Sequence, residues 1–186
     1  MRRASNIAPI AVAAVSLCAA AFAAGSAGLW LDVPFVAQTR DGCGAASIAM
    51  VMQYWERQQG QSTPPEAEPA RILDALYSRP AHGIYAAAMA VYFQSHGYRA
   101  FAFAANRADL GRQLESGRPL IVALKPGSGE SLHYVVVAGL DPPHQLLLVN
   151  DPAQRKLLKE DQSQFEREWK AAGNWALLAV PAAGAH

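Results

Sequence analysis

The chain has 186 residues, of which 52% are hydrophobic and 17% are charged, with a formal net charge of +1. This composition predicts one folded domain with a hydrophobic core and excludes a disordered chain. The near-neutral balance also excludes the basic excess of nucleic-acid-binding proteins, so we expect no nucleic-acid partner.

The N-terminus predicts a signal peptide over residues 1–23. Two arginines near the start supply a positive n-region, an apolar, alanine-rich run follows over Ile7–Ala24, and Ala-Phe-Ala at 21–23 fits the small-x-small cleavage rule. We therefore expect an exported protein, periplasmic or secreted, whose mature domain spans residues 24–186 without an integral membrane segment. A retained N-terminal anchor is the alternative.

The cysteine count depends on this leader. The sequence contains two cysteines, Cys18 and Cys43, and cleavage after Ala23 removes the first. Cys43 then has no disulfide partner in an oxidising compartment, where a lone thiol is open to oxidation. The count alone leaves two interpretations, a thiol kept for its chemistry and an inert buried cysteine.

The predicted elements begin with a short strand or extended segment over Leu29–Val36 and a polar loop. From Cys43 the pattern becomes helical, because apolar side chains recur at positions i, i+3, i+4 and i+7 as far as Trp55. A loop rich in glycine and proline ends this helix. Two shorter helices are predicted next, over residues 71–78 and 84–96.

Strands dominate the second half. Strands are predicted over 98–104, 119–124, 133–140, 145–150 and 174–180, and helices over 107–116 and 162–171. The apolar, β-branched run from His133 and the strand after Asp-Pro-Pro-His predict a β-hairpin. Because helices come first and strands cluster later, the sequence predicts an α+β fold with N-terminal helices packed on a mainly antiparallel sheet.

Cys43 stands at the predicted start of the first long helix, between Gly42 and Gly44. Free backbone N–H groups and the helix macrodipole stabilise negative charge at this end, and thiolate is the reactive form of cysteine. The flanking glycines let the backbone of a substrate approach closely. This placement favours a chemical role for the thiol.

A nucleophilic thiol needs a base, usually histidine. His82, His96 and His144 lie in turns or at a helix end, where surface exposure explains them. His133 begins an apolar strand, where an imidazole without a partner is costly. It is therefore the candidate base, and a hydrogen-bonded core histidine is the alternative.

Two further polar positions extend the pattern. If the hairpin pairs, its ends bring His133 within reach of Asn150 and Asp151, and a carboxylate there would orient the imidazole. Asp151 precedes a proline, so turn chemistry explains it equally well. Gln38 lies five positions before Cys43, and its amide is placed to donate to an oxyanion, although glutamine is common in loops.

Three segments together resemble C39-like, papain-type cysteine peptidases. They are the nucleophile segment DVPFVAQTRDGCGAASIAMVMQYW, the strand GRPLIVALK, and the histidine strand HYVVVAGL followed by VNDP. The resemblance covers nearly all of the mature chain in the expected order. It implies a papain-like fold, Cys43 as nucleophile, His133 as base, Asp151 as orienting carboxylate and Gln38 as oxyanion donor. It implies no metal and no cofactor.

The best-known members of this family are domains of ABC exporters that cleave leader peptides after a double glycine. This sequence carries its own export signal and resembles the stand-alone, exported relatives. We expect a peptidase that acts on peptide or protein substrates through a Cys43 thioester. An acyltransferase or amidase on the same fold, and a non-catalytic peptide-binding module, are the alternatives. Asn150 is the alternative orienting residue, since papain uses an amide there.

Overall fold

The computed structural model describes residues 28–127 and 131–182. The predicted signal peptide and Cys18 lie outside these residues. The described helices are α1 (Cys43–Gln58), α2 (Pro69–Leu76), α3 (Ala86–Ser95), α4 (Arg107–Glu115) and α5 (Gln162–Ala171). The described strands are β1 (Leu29–Trp30), β2 (Tyr98–Ala104), β3 (Leu120–Leu124), β4 (His133–Asp141), β5 (Leu146–Asp151), β6 (Arg155–Asp161) and β7 (Trp175–Pro181).

All the described strands join one antiparallel sheet. The order is β2-β7-β3-β4-β5-β6, and β1 pairs with β4 from outside this path. The predicted hairpin is present, with its turn formed by a short 3₁₀ helix over Pro142–His144. Helices packed on an antiparallel sheet confirm the predicted α+β class.

Helices cover both faces of the sheet. Alternate residues of β3 separate the two cores: Ile121 and Ala123 pack with α1, α2 and α3, whereas Leu120 and Val122 pack with α4 and α5. The central strands are therefore buried on both faces, which is why they appear in the sequence as continuous apolar runs. The N-terminal helices form one layer on the sheet, as predicted. The layer of α4 and α5 on the other face was not part of the prediction.

The strands differ from the prediction at two places. Of the short strand or extended segment expected over Leu29–Val36, only Leu29–Trp30 is a strand. Strand β6 was not predicted, because its sequence RKLLKED is charged and lacks a clear alternation. It lies at the edge of the sheet, where charged side chains reach solvent and discourage pairing with another chain.

Gly139 allows β1 to lie against β4. A Cβ atom at this position would lie 2.5 Å from the carbonyl oxygen of Leu29 and 2.8 Å from Cβ of Trp30. The pairing of β4 with β5 also shifts register between Val137 and Gly139, as in a β-bulge. A side chain here would therefore push the N-terminal strand off the sheet.

Within the described residues, no helix has the length and apolar character to cross a membrane.

Candidate active site

Cys43 is the first residue of α1, the helix that packs most directly against β4. The preceding Gly42 caps the helix without a side-chain hydrogen bond, and the first turn contains no acidic residue. The thiol therefore lies at the positive end of the helix dipole, with no fixed carboxylate in that turn to oppose a thiolate. Cys43 is partly exposed, whereas the residues that follow it are buried.

The tight packing beneath the thiol depends on Gly44. A Cβ atom there would lie 3.2 Å from Cβ of Ile84 and 3.5 Å from Cδ2 of Tyr134. Tyr134 is buried and packs edge-on against Trp175, with ring centroids 5.6 Å apart. The start of α1 is thus held against β4 and the residues before α3, so Cys43 has a fixed position. The contribution of Ile84 and Tyr134 was not predicted from the sequence, because no polar pattern distinguishes these residues.

His133 and Asp151 form the central pair of the site. Nε2 of His133 lies 2.7 Å from Oδ1 of Asp151, and the side chains are 21% and 6% exposed. The carboxylate also accepts the backbone N–H of Ala153 at 2.8 Å and the amide of Gln154 at 2.7 Å. Asp151 therefore bonds to the turn after β5 and to His133. These contacts are compatible with both explanations that the sequence left open, and the orienting role stays a prediction.

The electrostatics of the pair favour a charged imidazole. Burial alone would lower the pKa of His133, but hydrogen bonding and charge attraction to Asp151 and Cys43 raise that pKa to about 9. Burial likewise opposes ionisation of Asp151, yet hydrogen bonds from His133 and Ala153 hold the pKa of the carboxyl below its ordinary value. An imidazolium that faces both a carboxylate and the Cys43 thiol is the arrangement that a thiolate nucleophile needs.

Asn150 has a different role from Asp151. It is completely buried, and its Nδ2 donates to the carbonyl oxygens of Val33 and Pro34 at 3.1 and 3.3 Å. Its Oδ1 accepts the backbone N–H of Leu157 at 2.9 Å. All of these bonds fasten backbone, so Asn150 holds the segment before α1 and leaves Asp151 as the partner of His133.

Gln38 reaches the site through its backbone. Its N–H donates to the carbonyl oxygen of Pro152 at 2.9 Å, which ties the loop before Cys43 to the turn that follows Asp151. Among the described residues, the buried Oε1 of Gln38 has no hydrogen-bond partner. No hydrogen bond therefore fixes this oxygen. The role of the Gln38 amide as an oxyanion donor stays a prediction from the sequence.

The other three described histidines lie outside this pair. His96 stacks on Tyr92, and His144 forms a surface pair with Asp141 at 2.8 Å. His82 is exposed, as predicted, and it also lines a cleft that contains Cys43. Within the described residues, no group of three His, Cys, Asp or Glu side chains is placed to hold a metal ion.

Two clefts open beside the site. The first, here called the nucleophile cleft, has a volume of about 470 Å³ and is lined by Cys43, residues 80–86, Ser131, Leu132 and Tyr134. The second has a volume of about 320 Å³ and is lined by His133, Asp151, Glu160 and Glu168 among others. The thiol therefore borders one cleft and the imidazole the other, so an extended chain could cross the site from one to the other.

Solved structures share this fold. A double glycine motif protease from an AMS/PCAT transporter, in complex with the leader peptide, is 21% identical, with a TM-score of 0.63 over 82% of this chain and 94% of its own. A C39-like peptidase from Bacillus anthracis is 18% identical, with a TM-score of 0.64 over 82% and 97%. The peptidase domain of Streptococcus ComA, a bi-functional ABC transporter involved in a quorum sensing pathway, is 22% identical, with a TM-score of 0.61 over 78% and 96%.

These structures confirm the papain-like, C39-type fold that the sequence resemblance implied. No curated protein sequence matches the chain significantly. A family model does match, and residues 30–177 correspond to the one described as the Peptidase_C39 like family. This match spans well over half of the chain, includes every residue of the candidate site, and supports a peptidase. The chain therefore belongs to the Peptidase_C39 like family.

Proposed function

We propose that this protein is a cysteine peptidase that hydrolyses peptide bonds through a thioester on Cys43. The observation that carries the proposal is the 2.7 Å contact between His133 and Asp151, in a site that also places Cys43 at a helix N-terminus. Nucleophile, base and orienting carboxylate are the parts that thiol-dependent acyl transfer requires. Membership of a peptidase family agrees with this chemistry.

The first half-reaction forms the thioester. The Cys43 thiolate attacks the carbonyl carbon of the scissile bond, and a pair of electrons moves onto the carbonyl oxygen. As the C–N bond breaks, the His133 imidazolium donates its proton to the departing nitrogen. The products are an acyl thioester, a free amine and a neutral imidazole, which Asp151 holds in one orientation.

The second half-reaction restores the enzyme. Neutral His133 takes a proton from water as the water oxygen bonds to the thioester carbon. The C–S bond then breaks, the acid product leaves, and Cys43 and His133 return to the thiolate and imidazolium. In both halves, we propose that the Cys43 backbone N–H and the Gln38 amide donate to the oxyanion, each worth roughly 3–4 kcal/mol.

A peptide or protein is the substrate class that we propose. One structural relative is described as a complex with a leader peptide, and two clefts border the candidate site of this chain, one lined by Cys43 and the other by His133. Two clefts favour an extended substrate that occupies both of them.

The test is cleavage of a mixed peptide library by the purified protein, read by mass spectrometry, with Cys43→Ala and His133→Ala as the variants. His144→Ala is the matched control, since His144 also pairs with an aspartate but lies on the surface. We expect both site variants to lose activity and the control to keep it. Cleavage that persists in Cys43→Ala would refute the proposal. Transfer of the acyl group to an added amine, without hydrolysis, would identify an acyltransferase instead.

We also propose that residues 1–23 direct export and are removed. The support is the sequence alone: a positive start, an apolar run and Ala-Phe-Ala at 21–23. N-terminal sequencing of the protein recovered from a fractionated bacterial host should give a mature chain that begins at residue 24. Recovery of the uncleaved chain in the membrane fraction would support a retained anchor.

A further inference from the structure

The two clefts can be assigned to the two sides of a scissile bond. In the proposed reaction His133 protonates the departing amine, so the amine side of the substrate must pass over the imidazole. The acyl side stays bonded to Cys43. The nucleophile cleft is lined by Cys43 and the other cleft by His133, and neither described lining includes both. The nucleophile cleft therefore lies on the acyl side.

The lining of the nucleophile cleft is uncharged and largely apolar. Among its described lining residues there is no aspartate, glutamate, lysine or arginine, and His82 is the one histidine. Tyr85 and Leu132 are 55% and 42% exposed, so this cleft presents two of the six large hydrophobic side chains that the described surface leaves exposed. Exposed apolar side chains gathered at a cleft mark a binding surface.

The wall that carries Tyr85 is held in place before any ligand binds. Ser78 and Gly83 exchange backbone hydrogen bonds at 2.8 and 3.4 Å, which closes the turn before the wall. Ile84 is buried against Gly44. The cleft is thus largely pre-formed, and its volume of about 470 Å³ lies within the range of roughly 300–1,000 Å³ that is usual for ligand pockets.

We propose that the nucleophile cleft is the acyl-side substrate pocket and that it selects a large apolar side chain, held between Tyr85 and Leu132, in the residues just before the scissile bond. This inference rests on the proposed function. The family match alone does not supply this preference, and a double glycine, the motif named for one structural relative, would leave both side chains in water. Burial of one leucine-sized side chain is expected to favour binding by about tenfold to hundredfold over glycine.

Peptide aldehydes test the pocket without requiring turnover. A thiolate adds reversibly to the carbonyl carbon of an aldehyde, and the carbonyl oxygen then takes up a proton to give a hemithioacetal. A bound aldehyde therefore protects Cys43 from iodoacetamide. The probes are acetyl-leucyl-leucinal, acetyl-glycyl-glycinal and the corresponding aspartyl and lysyl compounds, used with the purified protein. We expect the leucyl aldehyde to protect Cys43 at concentrations at least tenfold lower than the others.

Variants identify the residues responsible. Tyr85→Ala and Leu132→Ala should each reduce the leucyl preference several-fold, measured relative to the labelling rate of the same variant without aldehyde. Tyr85→Phe, which keeps the ring, should retain it. Val91→Ala and Phe101→Ala are the matched controls, since both residues are exposed and apolar but do not line this cleft. They should leave the preference unchanged.

The outcomes separate the two proposals. Equal protection by glycyl and leucyl aldehydes, or a leucyl preference that survives both alanine substitutions, would overturn the proposed pocket. The proposal that Cys43 is a reactive nucleophile would stand in either case. Absence of protection by every aldehyde, with labelling that rises only near the pKa of about 8.5 of an ordinary thiol, would overturn the proposed peptidase and the pocket with it.

Discussion

Replacement of Asp151 by asparagine tests whether charge in the His133 pair activates the thiol. The substitution keeps the shape and a hydrogen-bond acceptor beside Nε2, but it removes the negative charge. The pKa of His133 is raised from 6.5 to about 9 in the folded protein, which corresponds to ~3 kcal/mol in favour of the imidazolium. An adjacent carboxylate typically raises the pKa of a group such as the His133 imidazolium by about 1–3. Asp151→Asn should therefore lower kcat/KM by roughly 10- to 1,000-fold.

The assay is the rate of Cys43 labelling by iodoacetamide between pH 4 and 9. In the unsubstituted protein, labelling should persist well below pH 7, because the imidazolium holds the thiolate beside it. In Asp151→Asn, the rate at pH 6 should fall by about tenfold or more. Asp141→Asn is the matched control: it removes the charge of the surface pair with His144, which is 72% exposed. Coincident profiles for Asp151→Asn and the unsubstituted protein would refute the reasoning.

Other changes separate chemistry from packing. Gln38→Ala should lower kcat by roughly 100-fold with little effect on KM, because the donor acts on the oxyanion, and an unchanged kcat would remove Gln38 from the site. Asn150→Ala should lower the free energy of unfolding in urea by about 2–4 kcal/mol, since the three hydrogen bonds of a buried amide are lost. Cys43 should still label at pH 6 in this variant, and loss of that labelling in the folded variant would contradict a purely structural role. Gly139→Ala should lower the free energy of unfolding in urea by about 1–3 kcal/mol. An unchanged urea midpoint would contradict the close approach of β1 to β4. The raised pKa of His133 contributes stability below pH 6.5 that is lost as the pH rises through about 9, and the lowered pKa of Asp151 contributes stability above 3.8 that is lost as the pH falls through its folded value. The loss of stability in Asp151→Asn should therefore be largest between about pH 4 and 6.5, and a difference that does not vary with pH would contradict this.

The sequence predicted the elements whose pattern is local. The first helix begins at Cys43, as predicted, and ends at Gln58, and the last described helix covers the predicted residues Gln162–Ala171. The buried strands β3 and β4 also appear where their apolar runs lie. In each case the residues that form the element carry the signal themselves, so a single sequence is sufficient.

What the sequence could not supply depends on residues far apart in the chain. Asn150 and Asp151 are neighbours with similar side chains, and only their partners distinguish them: Asn150 bonds to a carbonyl 117 positions earlier, and Asp151 to His133. The nucleophile cleft likewise combines residues 80–86 with Leu132 and Cys43, which no local spacing links. Strand β6 was missed because its pairing with β5, rather than its own composition, makes it a strand.

The hydrogen bonds from Asn150 to Val33 and Pro34, and from Gln38 to Pro152, bear on the order in which the proposed site is assembled. The segment that positions Cys43 is anchored to the end of β5, a strand made from the last quarter of the sequence. A chain that has only folded as far as α1 has its thiol but neither the anchor nor the imidazole. Completion of the hairpin supplies both together, so in the proposed mechanism a partly folded molecule has the thiol without its base.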